Sequence, residues 1–360
     1  MMKKFLSLLL CAVLVFALAP TASASYKSEA EAIIAHKTAQ SGSKNAEEWL
    51  EKLAKGAGIE AEWYVIAAAK LGYGGFSEYS QALADYLGEK SLKGTNAQRC
   101  ALAVIAAGCG SKYLAKTAES TIGTQGIMSY IWGLMLLSCG AESTKFSPEE
   151  LAEKIVSLRL SDGGFALSGE VSNVDVTAMA IAALAPYREN AAVSEAIESS
   201  LAFLSSVQTE NGGFINYGVE NCESAAQVVI ALCTLGIDPE SDARFIKNGK
   251  TALGSVRSFA RGDGGYAHLY GGAESEMATA QALHSFTAMH LLESGGGALF
   301  DFEMPTGVHA GFRDFDAPKN EEAPKSEINV KNTVCIAIIA ACAVGLIITA
   351  LVPSKKKEEE

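Results

Sequence analysis

The sequence lacks the cysteine patterns that stabilise small secreted proteins or bind zinc. It has eight cysteines but no CxxC pair, and Cys11, Cys335 and Cys342 lie in apolar segments near the two ends. The remaining five are an odd number and sit mostly among alanines and leucines, where cysteine behaves as a small apolar residue. They are Cys100, Cys109, Cys139, Cys222 and Cys233. A disulfide framework is therefore not expected, although one pair could form.

The motifs of several large enzyme classes are also missing. There is no GxSxG, no P-loop and no dinucleotide fingerprint, and the five histidines do not have the spacing of zinc ligands. Positive charge is scarce too, because 29 Lys and Arg stand against 41 Asp and Glu, which gives a net charge of -12. A surface of this sign repels nucleic acid and anionic lipid. We therefore expect no metal centre, no bound cofactor and no nucleic-acid partner.

The beginning of the chain predicts export. Lys3 and Lys4 precede an apolar run that is too short to span a bilayer. The small residues Ala22-Ser23-Ala24 then offer a cleavage site. This order is typical of a signal peptide, which we place at residues 1–24.

The end of the chain predicts a membrane anchor. Residues 333–352 form an uncharged run, long enough for the roughly 20 residues that a spanning helix needs. Three lysines follow and predict a cytoplasmic tail at 353–360. The proline-containing, charged segment 315–332 is typical of a flexible stalk. The sequence thus predicts a single-pass protein of the cell membrane whose main domain, residues 25–314, is extracytoplasmic.

Three loops share a glycine-glycine-aromatic pattern, which is the main structural signal in the chain. They are Ser161-Asp162-Gly163-Gly164-Phe165, Glu210-Asn211-Gly212-Gly213-Phe214 and Gly262-Asp263-Gly264-Gly265-Tyr266. Their spacing of about fifty residues is typical of a repeat architecture. Each loop follows an amphipathic helix and precedes an alanine-rich helix that is apolar nearly all round.

Helices can be drawn around these loops as about six pairs. The predicted outer helices cover 45–53, 77–87, 112–119, 148–158, 192–207 and 242–259. The predicted inner helices cover 61–71, 96–107, 127–139, 175–184, 223–232 and 274–283. Stacked pairs bury their apolar faces against each other, and a closed ring leaves no exposed end. We therefore predict an all-α fold, an α/α toroid of inner and outer helices with an additional N-terminal helix.

The loops and the alanine-rich helices resemble the repeats of the prenyltransferase and squalene cyclase families, over roughly residues 45–292. These families share an α6/α6 toroid, and the chain looks closest to bacterial single-toroid cell-surface proteins. Residues 174–180 are also similar to an inner helix of the cobalamin carriers transcobalamin and intrinsic factor. That likeness implies cobalamin as a ligand by analogy only, because the carriers also use a β-rich domain for which this sequence shows no pattern. The fold hosts both enzymes and binding proteins.

The inner helices place polar side chains near one mouth of the predicted ring. Aligned by their last apolar residues, they bring to equivalent positions Glu62, Gln98, Met128, Asp175, Glu223 and Glu274. A ring of acids would favour a cationic or hydrogen-bond-donating ligand. Helix capping is the simpler alternative, because an acid in the first turn complements the helix dipole. The segment from Ser172 to Asp175 also has capping-box spacing.

Aromatic and amide side chains extend this candidate site. The predicted ligand-binding residues are Trp63, Gln98, Trp132, Asp175, Glu223, Gln227, Tyr266 and Glu274. Hydrogen bonds between helices would explain the buried amides equally well. Tyr266, in the third glycine loop, would on the simpler interpretation pin that loop to the core.

Asp175 is the candidate catalytic residue. The resemblance to class II terpene cyclases implies a general acid here, because the middle aspartate of their Asp-x-Asp-Asp-Thr motif protonates the substrate. The segment Asn173-Val174-Asp175-Val176-Thr177 keeps that acid and lacks the flanking ones, and the chain has no Asp-x-Cys for prenyltransferase zinc. We therefore predict a non-catalytic protein that binds a small molecule or a surface protein partner. The alternative is an isoprenoid cyclase-like or prenyltransferase-like enzyme.

Overall fold

The structure, a computed structural model, describes residues 25–89, 93–110 and 112–305. The predicted signal peptide, stalk, membrane span and cytoplasmic tail lie outside the described residues, as does the end of the predicted toroid domain. Within the described ranges, no helix combines the length and apolar character that crossing a membrane requires.

The helices form two layers. The inner layer consists of α3 (Ala61–Lys70), α5 (Gly94–Ala106), α7 (Gly126–Ser138), α9 (Val174–Leu184), α11 (Cys222–Thr234) and α13 (Glu276–Ser294). The outer layer consists of α1 (Tyr26–Gln40), α2 (Ala46–Lys52), α4 (Ser77–Glu89), α6 (Lys112–Thr121), α8 (Pro148–Val156), α10 (Ala191–Val207) and α12 (Ala252–Ser258). Short 3-10 turns lie at Leu53–Gly56, Ala185–Tyr187 and Ala243–Phe245.

The inner helices close into a ring. Each packs against the next, and α13 packs back against α3. Their apolar character on every side fits this position, and all eleven residues of α9 are buried. The predicted α/α toroid with inner and outer helices is thereby confirmed.

The first helix of the chain completes the last repeat. Three outer helices pack mainly against the inner helix that precedes them in the chain: α8, α10 and α12. The sequence-based prediction instead pairs each outer helix with the inner helix that follows it. By the observed pairing α13 needs an outer partner, and α1 fills that place. Arg257 of α12 fixes α1 from the side, with Nε donating to Glu29 Oε1 at 2.8 Å.

One predicted outer helix is shorter than expected. Only Ala252–Ser258 of the predicted 242–259 helix is α-helical, because the residues before it form a 3-10 turn and an antiparallel hairpin of β3 (Ile246–Lys247) and β4 (Lys250–Thr251). Asn248 and Gly249 have positive φ values of 51° and 75° at its turn. Asn-Gly is a strong signal for such a turn, and it overrides helix periodicity here. A similar hairpin of β1 (Ile215–Asn216) and β2 (Val219–Glu220) precedes α11, with Ile215 opposite Glu220.

The core lies between the two layers and within the ring. Its largest fully buried side chains include Tyr79, Phe165, Phe214, Phe245 and Phe286. The five cysteines outside the terminal segments are all buried, and none forms a disulfide with another. They pack as small apolar side chains, as the sequence predicted.

Candidate ligand site at one mouth of the ring

The glycine loops set where the inner helices begin. Asp162 Oδ1 accepts hydrogen bonds from the backbone N–H of Gly164 at 3.0 Å and the hydroxyl of Ser172 at 2.7 Å, which fixes the first loop. In the second loop Gly212 has a φ of 81°, and a Cβ there would lie 2.6 Å from the carbonyl oxygen of Thr251. Only glycine fits so close to the neighbouring backbone. The glycine pairs therefore have a structural role, in line with the simpler sequence interpretation.

Asparagines cap the inner helices that follow the first two loops. Asn173 Oδ1 accepts from the N–H of Val176 at 3.1 Å, and Asn221 Oδ1 accepts from the N–H of Ser224 at 2.9 Å. The capping box predicted from Ser172 to Asp175 is wrong, because Asn173 is the cap and Asp175 lies two residues inside the helix. Asp175 is therefore available for contacts other than capping.

Glu274 does not belong to the predicted ring of acids. Ser275 caps α13, so that Glu274 lies outside the helix and the position that matches Asp175 is Met277. Glu274 contacts the N-terminal helix instead, with Oε1 at 3.1 Å from His36 Nε2. The alignment by last apolar residues was wrong because α13, with 19 residues, is much longer than the other inner helices.

The polar side chains that begin the inner helices of the first half contact neighbouring helices. Glu62 stands two residues after its cap, as Asp175 does, but its Oε1 accepts from the hydroxyl of Tyr79 on α4 at 3.0 Å and its Oε2 lies 3.5 Å from Arg99 Nε. Gln98 is fully buried, and its Nε2 donates to the carbonyl of Ser129 on α7 at 2.8 Å. Met128 is part of the apolar core. Of the predicted ring, Asp175 and Glu223 are the acids that have no Lys or Arg partner among the described residues.

Asp175 and Glu223, hereafter the acidic pair, lie on the adjacent inner helices α9 and α11. Asn216 Nδ2 donates to Asp175 Oδ2 at 2.7 Å, and His268 Nδ1 donates to Glu223 Oε2 at 2.8 Å. The other two oxygens, Asp175 Oδ1 and Glu223 Oε1, are buried and accept no well-formed hydrogen bond from the described residues, although the buried Ser224 hydroxyl lies close enough to Asp175 to lower its pKa. A buried carboxylate oxygen without a partner is unfavourable, so each residue is anchored on one side and unsatisfied on the other.

Burial dominates the protonation of Asp175. It raises the pKa of this carboxyl to about 6, although the Ser224 hydroxyl and the Asn216 amide act in the opposite direction. The hydrogen bond to Glu223 raises the pKa of His268, which is only half-buried. Asp175 therefore exchanges its proton close to neutral pH, where a change of ligand or of pH alters its charge.

Tyr217 lies at the edge of this site in an unusual backbone conformation. It has a φ of 48° at the turn of the β1–β2 hairpin, directly after Asn216, and its side chain is 60% exposed. Burial and the nearby Asp175 raise the pKa of its hydroxyl. A bulky residue with positive φ is strained, and such strain is often found at functional sites.

The interior of the ring contains a cluster of aromatic side chains. The rings of Trp63 and Trp132 lie 5.7 Å apart, and Phe300, from the segment after α13, lies 5.8 Å from Trp132. His284 Nε2 donates to the carbonyl of Trp63 at 2.6 Å, and burial lowers the pKa of His284 to about 4. Trp63 thus packs with Trp132, and Trp132 packs with Phe300.

Two further predicted ligand residues have structural partners. Gln227 Nε2 donates to Gln281 Oε1 at 2.7 Å, which links α11 and α13. Tyr266 is buried beneath the third loop, where its ring lies 6.1 Å from that of Phe286. Hydrogen bonding between helices and pinning of the loop are therefore what the structure shows for these side chains.

The comparisons with known proteins agree with this architecture. A sequence family described as the prenyltransferase alpha-alpha toroid domain matches residues 110–304, more than half of the chain. The chain belongs to this family. Among curated proteins no relative matches. Solved structures similar to this toroid include the unsaturated glucuronyl hydrolase from Bacillus sp. GL1, responsible for the degradation of glycosaminoglycan. That protein is 14% identical, with a TM-score of 0.41 over 78% of this chain and 88% of its own.

The part of the toroid that the structure describes holds no group of three His, Cys, Asp or Glu side chains arranged as metal ligands. Its mouth does hold three side chains that sequence reasoning missed: Asn216, Tyr217 and His268. Asn216 and Tyr217 occupy a hairpin too short to give an alternating strand pattern, so that only the following Gly218 signals a turn. His268 lies between the third glycine loop and α13, and nothing in its local sequence indicates contact with Glu223.

Proposed function

We propose that this toroid is a membrane-anchored, extracytoplasmic binding protein whose ligand donates hydrogen bonds to the acidic pair, and that it is non-catalytic. The observation that carries the proposal is the half-satisfied state of Asp175 and Glu223. Asn216 and His268 hold one oxygen of each in place, and the other oxygen is buried without a partner among the described residues. A cation or a donor group placed between them would satisfy both.

The filled interior also supports binding at the mouth over binding within the ring. Trp63, Trp132 and Phe300 occupy space within the ring. A ligand that reaches the acidic pair from the loops does not need to displace them.

Native mass spectrometry of the full-length protein in a neutral detergent tests this proposal. The protein is offered simple amines, polyols, corrinoids and isoprenoids, and we expect a discrete adduct with one amine or polyol class. The adduct should be lost in Asp175→Asn and Glu223→Gln but kept in Glu189→Gln, an exposed acid-to-amide change at the opposite end of the ring. Adducts that survive both mouth substitutions would contradict the proposal. A retained corrinoid would instead point to the cobalamin analogy, in which amide groups are the donors.

A second candidate is an isoprenoid cyclase-like enzyme in which Asp175 is the general acid. The specific observation in its favour is burial that raises the pKa of Asp175 to about 6, since a general acid must hold its proton near working pH. Conversion of an added isoprenoid by the wild type, and not by Asp175→Asn, would establish it.

The two candidates have opposite pH profiles. A cation needs ionised Asp175, so binding should strengthen as pH rises through about 6, whereas proton donation should weaken over the same range. Loss of the proton from His268, whose pKa is raised, would strengthen cation binding further at higher pH.

The location of the toroid is part of the proposal. A membrane-impermeant amine reagent applied to intact cells should label Lys250, an exposed residue of the toroid, and not Lys355 to Lys357. Labelling of the three terminal lysines alone would show that the protein has the opposite orientation in the membrane.

A further inference from the structure

Three long segments lead into the last three inner helices and lie together at one end of the ring. We call them the loop face: residues 162–175 before and at the start of α9, residues 208–223 for α11, and residues 262–274 before α13. The acidic pair belongs to this face. The corresponding links in the first half, before α3 and α7, are shorter and carry no glycine pair.

The exposed apolar side chains of the described residues gather at this end. They are Ile59, Val171, Val207, Ile215, Tyr217, Val219, Leu269 and Tyr270. Ile59 precedes α3 and Val207 ends α10, and the other six belong to the loop face. Val171 is 81% exposed and Tyr217 is 60% exposed, so that neither contributes to the core. A gathered apolar surface of this kind marks an interaction site.

The loop face also contains a groove next to the acidic pair. Its volume is about 640 Å³, and its apolar lining includes Leu167, Phe203 and Ile215. Asn216 borders the groove and at the same time binds Asp175. An apolar side chain in the groove would therefore lie within a few residues of a group bound to the acidic pair.

The loop face carries mostly negative charge. Its three segments contain eight acids and neither Lys nor Arg, and three basic side chains from outside the segments contact them: Arg261 at Asp263, Lys250 at Asn211 and Lys37 at Glu274. The acids are Asp162, Glu170, Asp175, Glu210, Glu220, Glu223, Asp263 and Glu274. A second copy of this face would be repelled, and so would an anionic membrane. A basic partner is complementary to it. The unpartnered oxygens of Asp175 and Glu223 supply a specific end point for its charge, but both residues are only 3% exposed, so the loops over them must move before a side chain reaches them.

We propose that the loop face is a docking surface for a polypeptide that presents a Lys or Arg side chain flanked by apolar residues. The basic side chain is directed to the acidic pair, and an adjoining apolar side chain enters the groove. This inference rests on the proposed function and names its ligand as a protein segment. Tyr217 lies between the acidic pair and the groove, where its ring contributes an aromatic contact to the bound segment. This contact explains why a strained residue occupies the turn.

Selection from a library of random short peptides, displayed on phage, tests the proposal. The immobilised full-length protein is the target, and the double variant Asp175→Asn/Glu223→Gln is used for counter-selection. We expect enriched peptides in which a Lys or Arg stands between apolar residues. Synthetic copies should bind at least tenfold more weakly when the basic residue is replaced by norleucine, and at least tenfold more weakly to the double variant.

Further variants locate the bound peptide. Tyr217→Asn, which suits the same turn, should weaken binding several-fold, whereas Glu189→Gln at the opposite end should leave it unchanged. Enriched peptides without a basic residue, equal binding to the double variant, or no enrichment at all would each overturn the proposal. A small amine adduct that depends on Asp175 together with an empty peptide selection would leave the proposed function standing and remove this inference. If neither an amine adduct nor an enriched peptide is found, the proposed function and this inference are both contradicted.

Discussion

The two ends of the ring differ in the kind of group that they leave without a partner. At the end where the inner helices finish, Phe300 packs on Trp132 and Cys139 Sγ donates to the carbonyl of Phe300 at 3.2 Å, beside a groove of about 590 Å³. In the aromatic cluster, the nitrogen atoms Trp63 Nε1 and His284 Nδ1 have no hydrogen-bond partner among the described residues. At the end where the helices begin, the unpartnered atoms belong to two carboxylates, and apolar side chains are exposed around them. A buried charge without a partner costs more than a buried neutral group, so function is best sought at the carboxylates.

The largest expected effect on stability comes from removing an aromatic side chain from the cluster within the ring. Trp132 is buried against Trp63 and Phe300, so Trp132→Ala removes a large aromatic from the interior. The free energy of unfolding should fall by about 3–5 kcal/mol, measured by denaturant unfolding of the full-length protein. Trp132→Phe should recover most of that loss. A stability equal to that of the wild type would show that the aromatic cluster does not stabilise the ring.

The next effect concerns the support beneath the loop face. Gly212→Ala places a Cβ about as close as 2.6 Å to the Thr251 carbonyl in a backbone with a φ of 81°. It should destabilise the protein by about 2–4 kcal/mol, since strain and crowding add. Gly169→Ala is the matched control, because its φ is 72° but a Cβ there meets nothing within 4 Å. Equal losses for the two variants would mean that backbone strain alone, without crowding, determines the effect.

Replacing Asp175 should stabilise the protein at high pH, in contrast to the two substitutions above. Burial raises the pKa of Asp175 from its ordinary value of 3.8 to about 6, so the folded state holds the proton longer than the unfolded state. Its contribution to stability therefore declines as pH rises from about 4 to about 6, by up to about 3 kcal/mol. Asp175→Asn should remove that decline and be more stable than the wild type at about pH 8, but not at about pH 4. If the variant's stability has the same pH dependence as that of the wild type and is only lower at every pH, the prediction is contradicted.

The smallest expected effect compares the two hairpins. Tyr217 and Asn248 occupy the same turn position with φ values of 48° and 51°. Tyr217→Asn should stabilise the protein by about 0.5–1 kcal/mol, and Asn248→Tyr should destabilise it by a similar amount. Urea unfolding of both variants at a single pH measures the two changes in the free energy of unfolding. Loss of stability in Tyr217→Asn would show that the tyrosine ring contributes packing that outweighs its backbone strain.

Periodicity and glycine loops were sufficient to predict the ring of inner helices, and the helix ends agree closely with the structure except for α13, which extends to Ser294. The N-terminal helix was predicted as an addition, but not its place against α13, because no local pattern reports a contact between the first and last helices. The site was predicted only in part. Asp175 and Glu223 could be found because each stands alone on an apolar helix, whereas Asn216 and His268 come from loops whose fold depends on distant neighbours. Glu274 was misplaced because helix length cannot be read from apolar residues alone.

The packing of α1 against α13 has a consequence for the order of events during synthesis. His36 and Glu274 meet across 238 residues of sequence. At ordinary rates of elongation the first helix is made about 10–50 s before its partner exists. During that interval α1, with Ile33 and Ile34, can pack only on early neighbours such as α2 and not on α13. The last repeat therefore cannot form until synthesis is almost complete.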